Sequence, residues 1–279
     1  MTESDRVAWS SGSALALRPF PFHGDGVTAI VTTRHGGVST GVYASLNLGD
    51  HVGDDPEAVR ENRRRLAASL GVDRLTVADQ QHGARVAVID AALAGRGHAG
   101  AADARAALPA TDAMVTDLPG VALATIVADC APVVLFDPIR RVAGVAHCGR
   151  RGAVLGVLPR TVETMRGRFG CRTEDLLVGI GPAIGADSYE IGDAEAAQVD
   201  AVFGTAGAPG APDLLRPTRP GHATFDLVAA LRVQLRDAGI EDRNVHAVGV
   251  DTRASTEDFF SDRAARPCGR FMAVTVLTH

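Results

Sequence analysis

The sequence predicts an α/β class, a mixed α+β arrangement in which mixed β-sheets are flanked by helices within one domain. Two observations carry this expectation. Short apolar runs bounded by glycine and proline are interleaved along the chain with capped segments of helical period. Asp137-Pro138, a turn signal, separates two such runs so closely that they must form a hairpin, which places antiparallel pairing inside an otherwise alternating α/β pattern. No internal repeat interrupts this, and 279 residues are enough to bury a sizeable core.

The elements follow in chain order. Residues 1–20 are expected to be a flexible N-terminal tail, without the charged start and long apolar stretch of a signal peptide, and containing the single tryptophan, Trp9. Residues 28–34 (TAIVTTR) read as a strand that runs into a glycine turn at Gly36-Gly37. The segment 55–70 reads as a helix, with Asp54 or Asp55 as cap, Pro56 in the first turn and Gly71 as stop. Its apolar residues Val59, Leu66 and Leu70 share one face. Another strand is expected at 85–89, and an alanine- and glycine-rich surface loop or frayed helix at 93–110.

Apolar runs at 121–128, 132–136 and 142–146 read as strands, the last two forming the hairpin. GRRGAVLGVLPRTVETMRGRFG (149–170) reads as a helix with a kink or break at Pro159. A strand at 176–180 leads into GPAIG, a Gly/Pro-rich loop spans 204–222, and a helix covers 225–238. Strands near 245–250 and at 271–277 complete the expected set.

Bulk properties exclude several functions. All 28 basic residues are arginine, so Schiff-base, pyridoxal-phosphate and Walker-A chemistry, each needing a lysine amine, are ruled out. A net charge of −5 and only 4% aromatic residues argue against a nucleic-acid partner. No apolar run reaches the eighteen or so residues of a membrane span. Four cysteines, at 130, 148, 171 and 268, form neither a CxxC pair nor a disulfide framework, so the expected location is the reducing cytoplasm.

The chemistry-bearing residues cluster at element edges. With Phe136 opposite Val142, Cys130 and His147 fall within one step of register at the open end of the hairpin, in ADCAP and AHCGRRG. A thiolate beside an imidazole serves metal ligation or nucleophilic catalysis, and a buried cysteine beside a core histidine is the bland alternative. His82, in QQHG, stands before a strand and would complete a His₂Cys set of the kind that holds a catalytic zinc with an open fourth position. Spacing alone does not bring His82 to the other two. Arg34 in TTRHGG, and Arg150 and Arg151 in GRRG, are candidate anion contacts because glycine lets backbone N–H groups approach an anion. Asp129 either caps a strand end or orients a ligand and accepts a proton.

Taken together, TTRHGGVSTGVYASLNLGDHVGDDPEAVRENRRRL, QQHG, DAMVTDLPGVALATIVADCAPVVLFD, VAGVAHCGRRG, IGPAIGADSYEIG and FFSDRAARPCGRFMAV resemble, in order, the YfiH-type family. That family is described both as multicopper polyphenol oxidoreductases (laccases) and as purine nucleoside phosphorylases. The resemblance implies a YfiH-like single catalytic domain over 21–279 and one zinc ion on His82, Cys130 and His147. It implies phosphorolysis of adenosine, inosine and methylthioadenosine, with adenosine deamination in the same pocket. Its partners would be a purine nucleoside and phosphate, and Arg34, Asn47 and Arg150 would be substrate or phosphate contacts. Cys130, His147 and Asp129 would be the catalytic groups.

The chain departs from the family where HAGWRG reads HCGRRG, where QVHG reads QQHG, and where Asp251-Thr252 replaces a Cys-Thr pair. Arg150 thus stands in place of a tryptophan. Laccase chemistry needs a His₂Cys copper centre and a trinuclear cluster, about ten histidines in all, and nine without an HxH pair do not supply them. Two alternatives stay open: a metal-free cysteine hydrolase on Cys130 and His147, and an interaction module whose structural zinc is closed by Cys148.

Overall fold

The computed structural model describes residues 15–24, 26–100, 106–204 and 213–278. Two mixed sheets pack face to face, with helices on both outer sides. The five-stranded sheet has the order β1-β2-β14-β6-β3, from β1 (Leu17–Pro19), β2 (Val27–Thr32), β3 (Leu75–Val77), β6 (Ala122–Val127) and β14 (Phe271–Leu277). The six-stranded sheet has the order β13-β9-β7-β8-β5-β4. Its strands are β4 (Val86–Val88), β5 (Ala113–Thr116), β7 (Ala131–Asp137), β8 (Val142–Cys148), β9 (Leu177–Ile180) and β13 (Val245–Ala247). A small antiparallel sheet joins β10 (Glu190–Gly192), β12 (His222–Phe225) and β11 (Leu215–Pro217). The expected mixed α/β class is the observed one.

Continuous apolar runs in the sequence reflect strands covered on both faces. In β7, Val134 and Phe136 enter the core between the sheets, while Val133 and Leu135 face the helix layer. β14 divides likewise, with Phe271 and Ala273 between the sheets and Met272, Val274 and Val276 toward α1 (Pro56–Ser69). On the other outer side, α3 (Val157–Phe169) and α5 (Leu227–Asp237) contribute Leu158, Val162, Met165, Leu231 and Leu235 to the helix-layer core.

Helix ends follow local chemistry. Asp55 caps α1 by accepting from Glu57 N at 3.0 Å, and Asp226 caps α5 by accepting from Ala229 N at 2.8 Å. The helix expected across 149–170 is two: α2 (Arg150–Val154) and α3. The break falls at Gly156, whose φ of +76° suits glycine, and Pro159 sits harmlessly in the first turn of α3.

Other expectations are corrected. Of the tail, residues 1–14, with Trp9, lie outside the described residues. Residues 17–19 are not loose, because they pair with β2, and Phe20 is buried. The loop expected at 204–222 contains β11, with residues 205–212 outside the described set, and β12 begins at His222. Within 93–110, residues 101–105 are not described, and the rest is largely turn and loop, the first of the two forms expected, with Leu108 bridging to Ala78. Hairpin register is one residue off the expected one: Phe136 faces Ala143, and His147 faces Pro132.

Arg63 on α1 is 1% exposed, and its guanidinium bonds Leu48 O (2.9 Å), Gly97 O (2.8 Å) and Asp50 Oδ1 (3.2 Å). It ties two loops that border the cavity described below. A hydrogen bond with His51 and then the Arg63 charge, opposed by burial, hold the Asp50 carboxyl at about 2. Arg63→Ala should therefore cost about 3 kcal/mol in thermal or denaturant unfolding. Asp50 has a folded pKa below its unfolded value, so its share is present above about pH 4 and is lost as pH falls toward 2. The stability gap between wild type and Asp50→Asn should narrow over that window.

Candidate metal centre and cavity

His82, Cys130 and His147 come together at one end of the six-stranded sheet, with ligand atoms within 4.8 Å of one another. Two come from the hairpin. Cys130 immediately precedes β7 and His147 lies on β8; His147 faces Pro132, so Cys130 is its diagonal neighbour on the same face. The sequence expectation of proximity holds, through a diagonal rather than a direct pair. Gly149 makes this approach feasible: a Cβ there would stand 2.6 Å from Cys130 Sγ and 3.1 Å from His82 Cδ2. The two imidazole rings lie 4.6 Å apart at 68°.

His82 arrives from a loop, and Asp112 holds that loop. The Asp112 carboxylate, 2% exposed, accepts from Gln81 N (3.2 Å), His82 N (2.9 Å) and Gly83 N (2.7 Å). This cradle keeps His82 at a φ of +56°, a conformation costly for a non-glycine residue. Asp112 Oδ1 also lies 2.9 Å from His147 Nδ1, which fixes the imidazole tautomer and leaves Nε2 for a ligand. Arg151 Nη1 donates to Gln81 O at 3.1 Å and anchors the loop from outside. Burial pushes the Asp112 carboxyl up, but the His147 and Gly83 hydrogen bonds outweigh it and hold it below the usual range. Asp112 was missed in the sequence.

The electrostatics favour a thiolate. Burial raises the Cys130 thiol, but the His147 charge and hydrogen bonds to His147 and His82 outweigh it and bring it to about 6. Burial likewise lowers His147, and the Cys130 charge and Asp112 more than reverse this. Two imidazoles and a thiolate suit a borderline-soft ion such as zinc in tetrahedral geometry, and no fourth protein ligand joins the group among the described residues. Cys148 points to the opposite face of β8, buried among Ala113, Ala153 and Val157, so it does not close the set.

The group opens onto a cavity of about 760 Å³ between the QQHG loop, the end of β6 and the C-terminal segment. Asp129 borders it at a φ of +79°, its carboxylate accepting from Thr252 Oγ1 and Arg263 N, both at 2.7 Å. Its strand-end role is thus realised as a clamp between loops. Arg34, Asn47 and Arg150 do not line the cavity. Arg34 bonds Ala44 O and Thr256 O and lies over the Phe260 ring, and Arg150 donates to Gln198. Asn47 is fully buried and positions Arg270 by accepting from its backbone N–H at 2.8 Å. The lining arginines are Arg263, Arg266 and Arg270, all from the block FFSDRAARPCGRF, in which sequence reading singled out no residue.

Comparison with known proteins establishes the family and the fold. The family model described as multi-copper polyphenol oxidoreductase laccase matches residues 28–278. The chain belongs to this family. A purine nucleoside phosphorylase of Mycobacterium tuberculosis is 38% identical over 252 residues, covering 89% of this chain and 91% of the relative. One of Streptomyces coelicolor is 41% identical over 241 residues, covering 86% and 90%. The crystal structure of YlmD from Geobacillus stearothermophilus superposes with a TM-score of 0.89 at 34% identity, covering 97% of this chain and 99% of that one. YfiH of Bacillus licheniformis gives 0.87 at 30%, covering 96% and 98%. The expected YfiH resemblance and fold are therefore borne out. No described helix is long and apolar enough to cross a membrane.

Two outcomes follow. Asp112→Asn should weaken metal affinity about 10- to 100-fold in a competition titration while the protein stays folded. In chelated wild-type protein, iodoacetamide labelling of Cys130 should rise through a midpoint near pH 6, because the thiolate forms above it. A midpoint in the ordinary thiol range, about 8.5, would contradict the coupling described. The other three cysteines are buried with raised pKa values, so they leave the measurement clean.

Proposed function

We propose that the chain is a zinc-dependent purine nucleoside phosphorylase acting on adenosine, inosine and methylthioadenosine with phosphate, and that it deaminates adenosine in the same cavity. The observation that carries this is the His82, Cys130 and His147 group opening onto a nucleoside-sized cavity, in a chain 38–41% identical to purine nucleoside phosphorylases. His82, Cys130 and His147 would hold the ion, with Asp112 orienting the His147 ring and the His82 loop. When bound, zinc supplies a Lewis acid that polarises an oxygen or ring substituent of the substrate.

In phosphorolysis, a phosphate oxygen bonds to the anomeric carbon as the C–N bond to the base breaks. The bonding pair leaves with the base, which takes up a proton. Phosphate contact falls to Arg266 and Arg270 rather than to Arg34 or Arg150. Both pair with Asp262, Arg270 at 3.1 Å, so two guanidinium groups share one carboxylate and the cluster keeps a net positive charge for an anion. The apolar walls Val127, Ile184 and Leu227 limit water around the reacting bond. Asp129, engaged by Thr252 and Arg263, shapes the cavity it lines. Four free thiols fit a cytoplasmic enzyme.

Polyphenol oxidation, the chemistry in the family's description, fits poorly. Nine histidines, and one three-residue ligand group among the described residues, do not furnish a four-copper system. The low thiol pKa and the Cys130 to His147 contact favour a second reading, a metal-free cysteine hydrolase.

Purified protein should release free base from adenosine or inosine only when phosphate is present, with a sugar 1-phosphate as co-product. Base release that is phosphate-independent and is abolished by Cys130 alkylation in chelated protein would favour the hydrolase.

A further inference from the structure

Among the described residues, Tyr189 is the one Phe, Tyr or Trp side chain that lines the cavity. It follows the GPAIG loop, just before β10, and is half-buried, with its ring 5.9 Å from that of Phe225. Arg263 lies against it, with the guanidinium carbon 5.4 Å from the ring centroid. Two bonds hold that arginine in place. Its backbone N–H donates to Asp129, the residue before Cys130, and its Nη1 donates to Glu190 O, one residue beyond Tyr189, at 2.9 Å. Burial raises the Tyr189 hydroxyl to about 12, so the ring stays neutral at any working pH. Arg150, which stands in place of the family's tryptophan, is turned away to Gln198 and offers the cavity no flat surface.

We infer that Tyr189 and Arg263 together form the wall against which the purine base lies, next to the His82, Cys130 and His147 group. This rests on the phosphorylase reading for its ligand, and it assigns an orientation: base toward Tyr189, phosphate toward Arg266 and Arg270. The guanidinium lies over a neutral ring that is itself packed on Phe225, and its Nη1 is held by Glu190 O, so the pair forms a held, polarisable stack against which any purine can lie. Such a wall is tolerant of the exocyclic group, which suits a site that takes both amino- and oxo-purines. It also explains how a chain with 4% aromatic residues holds a base without a tryptophan.

The test is calorimetric binding of free hypoxanthine and adenine to the purified protein, alongside steady-state phosphorolysis. Tyr189→Ala, and Tyr189→Leu as the better-filling control for folding, should weaken base binding by about 5- to 150-fold, the span of base–aromatic stacking. Nucleoside KM should rise with them while phosphate KM stays within about twofold. Tyr189→Phe should bind like wild type, because the contact is to the ring face. Arg263→Ala should weaken base binding without changing phosphate KM. The inference is overturned if Tyr189→Leu binds base as wild type does, if Tyr189→Phe loses binding, or if Arg263→Ala acts on phosphate alone. Free-base binding remains measurable if phosphorolysis is absent, so failure of the wall and failure of the phosphorylase reading are read separately.

Discussion

The Asp112 carboxylate is the constraint on which the site depends. It is buried, it accepts three consecutive backbone N–H groups of the QQHG loop, and it lies within hydrogen-bond distance of His147 Nδ1. One carboxylate thus sets the position of a loop and the orientation of a ring on a different strand. Without it, His82 would have no reason to occupy a left-handed conformation, and the loop would be free to leave the hairpin. The cost of burying a charge is met by four hydrogen bonds, the condition under which buried charge is tolerated.

Around that carboxylate the fold supplies rigidity on one side and loops on the other. β7 and β8 are covered on both faces, so the diagonal between Cys130 and His147 is fixed by packing as much as by hydrogen bonds. Much of the remaining cavity wall comes from loops, pinned by Asp129 to Thr252 and Arg263 and by Arg63 to Gly97 and Leu48. With no lysine in the chain, the cationic tie among these is an arginine, and the forked donors of Arg63 reach three carbonyls where an ammonium would hold them less directionally.

Although β5, on the other flank of the hairpin, was not, the hairpin strands β7 and β8, their neighbour β9 and the capped helices α1 and α5 were legible because hydrophobic period and capping are local signals. So was the meeting of Cys130 with His147, since a tight turn fixes register to within a residue. β1, β11 and β12 were not, because these three- or four-residue strands carry too few residues to show an apolar run or alternation of their own and lie within a tail and in or beside a Gly/Pro-rich stretch that read as loop. Asp112 escaped for a related reason: an aspartate before a strand is the commonest of turn residues, and nothing local distinguishes one that reaches His147. The arginines misled in the opposite sense. Arg34 and Arg150 sit beside glycines, as anion contacts do, yet they satisfy Ala44 O, Thr256 O and Gln198 instead. Arg270 follows Gly269 just as Arg150 follows Gly149, so a neighbouring glycine does not discriminate; Arg263, Arg266 and Arg270 are placed in the cavity by the course of the C-terminal segment.

His82, Cys130 and His147, from two separate segments, bring three possible metal ligands together in the lining of the cavity. Metal content of the purified protein by elemental mass spectrometry, compared with that of Cys130→Ser, tests most directly whether they hold one ion. One zinc per chain in the wild type and none in the variant is the predicted result. A wild-type protein that is metal-free after zinc supplementation, yet fully active, would contradict it.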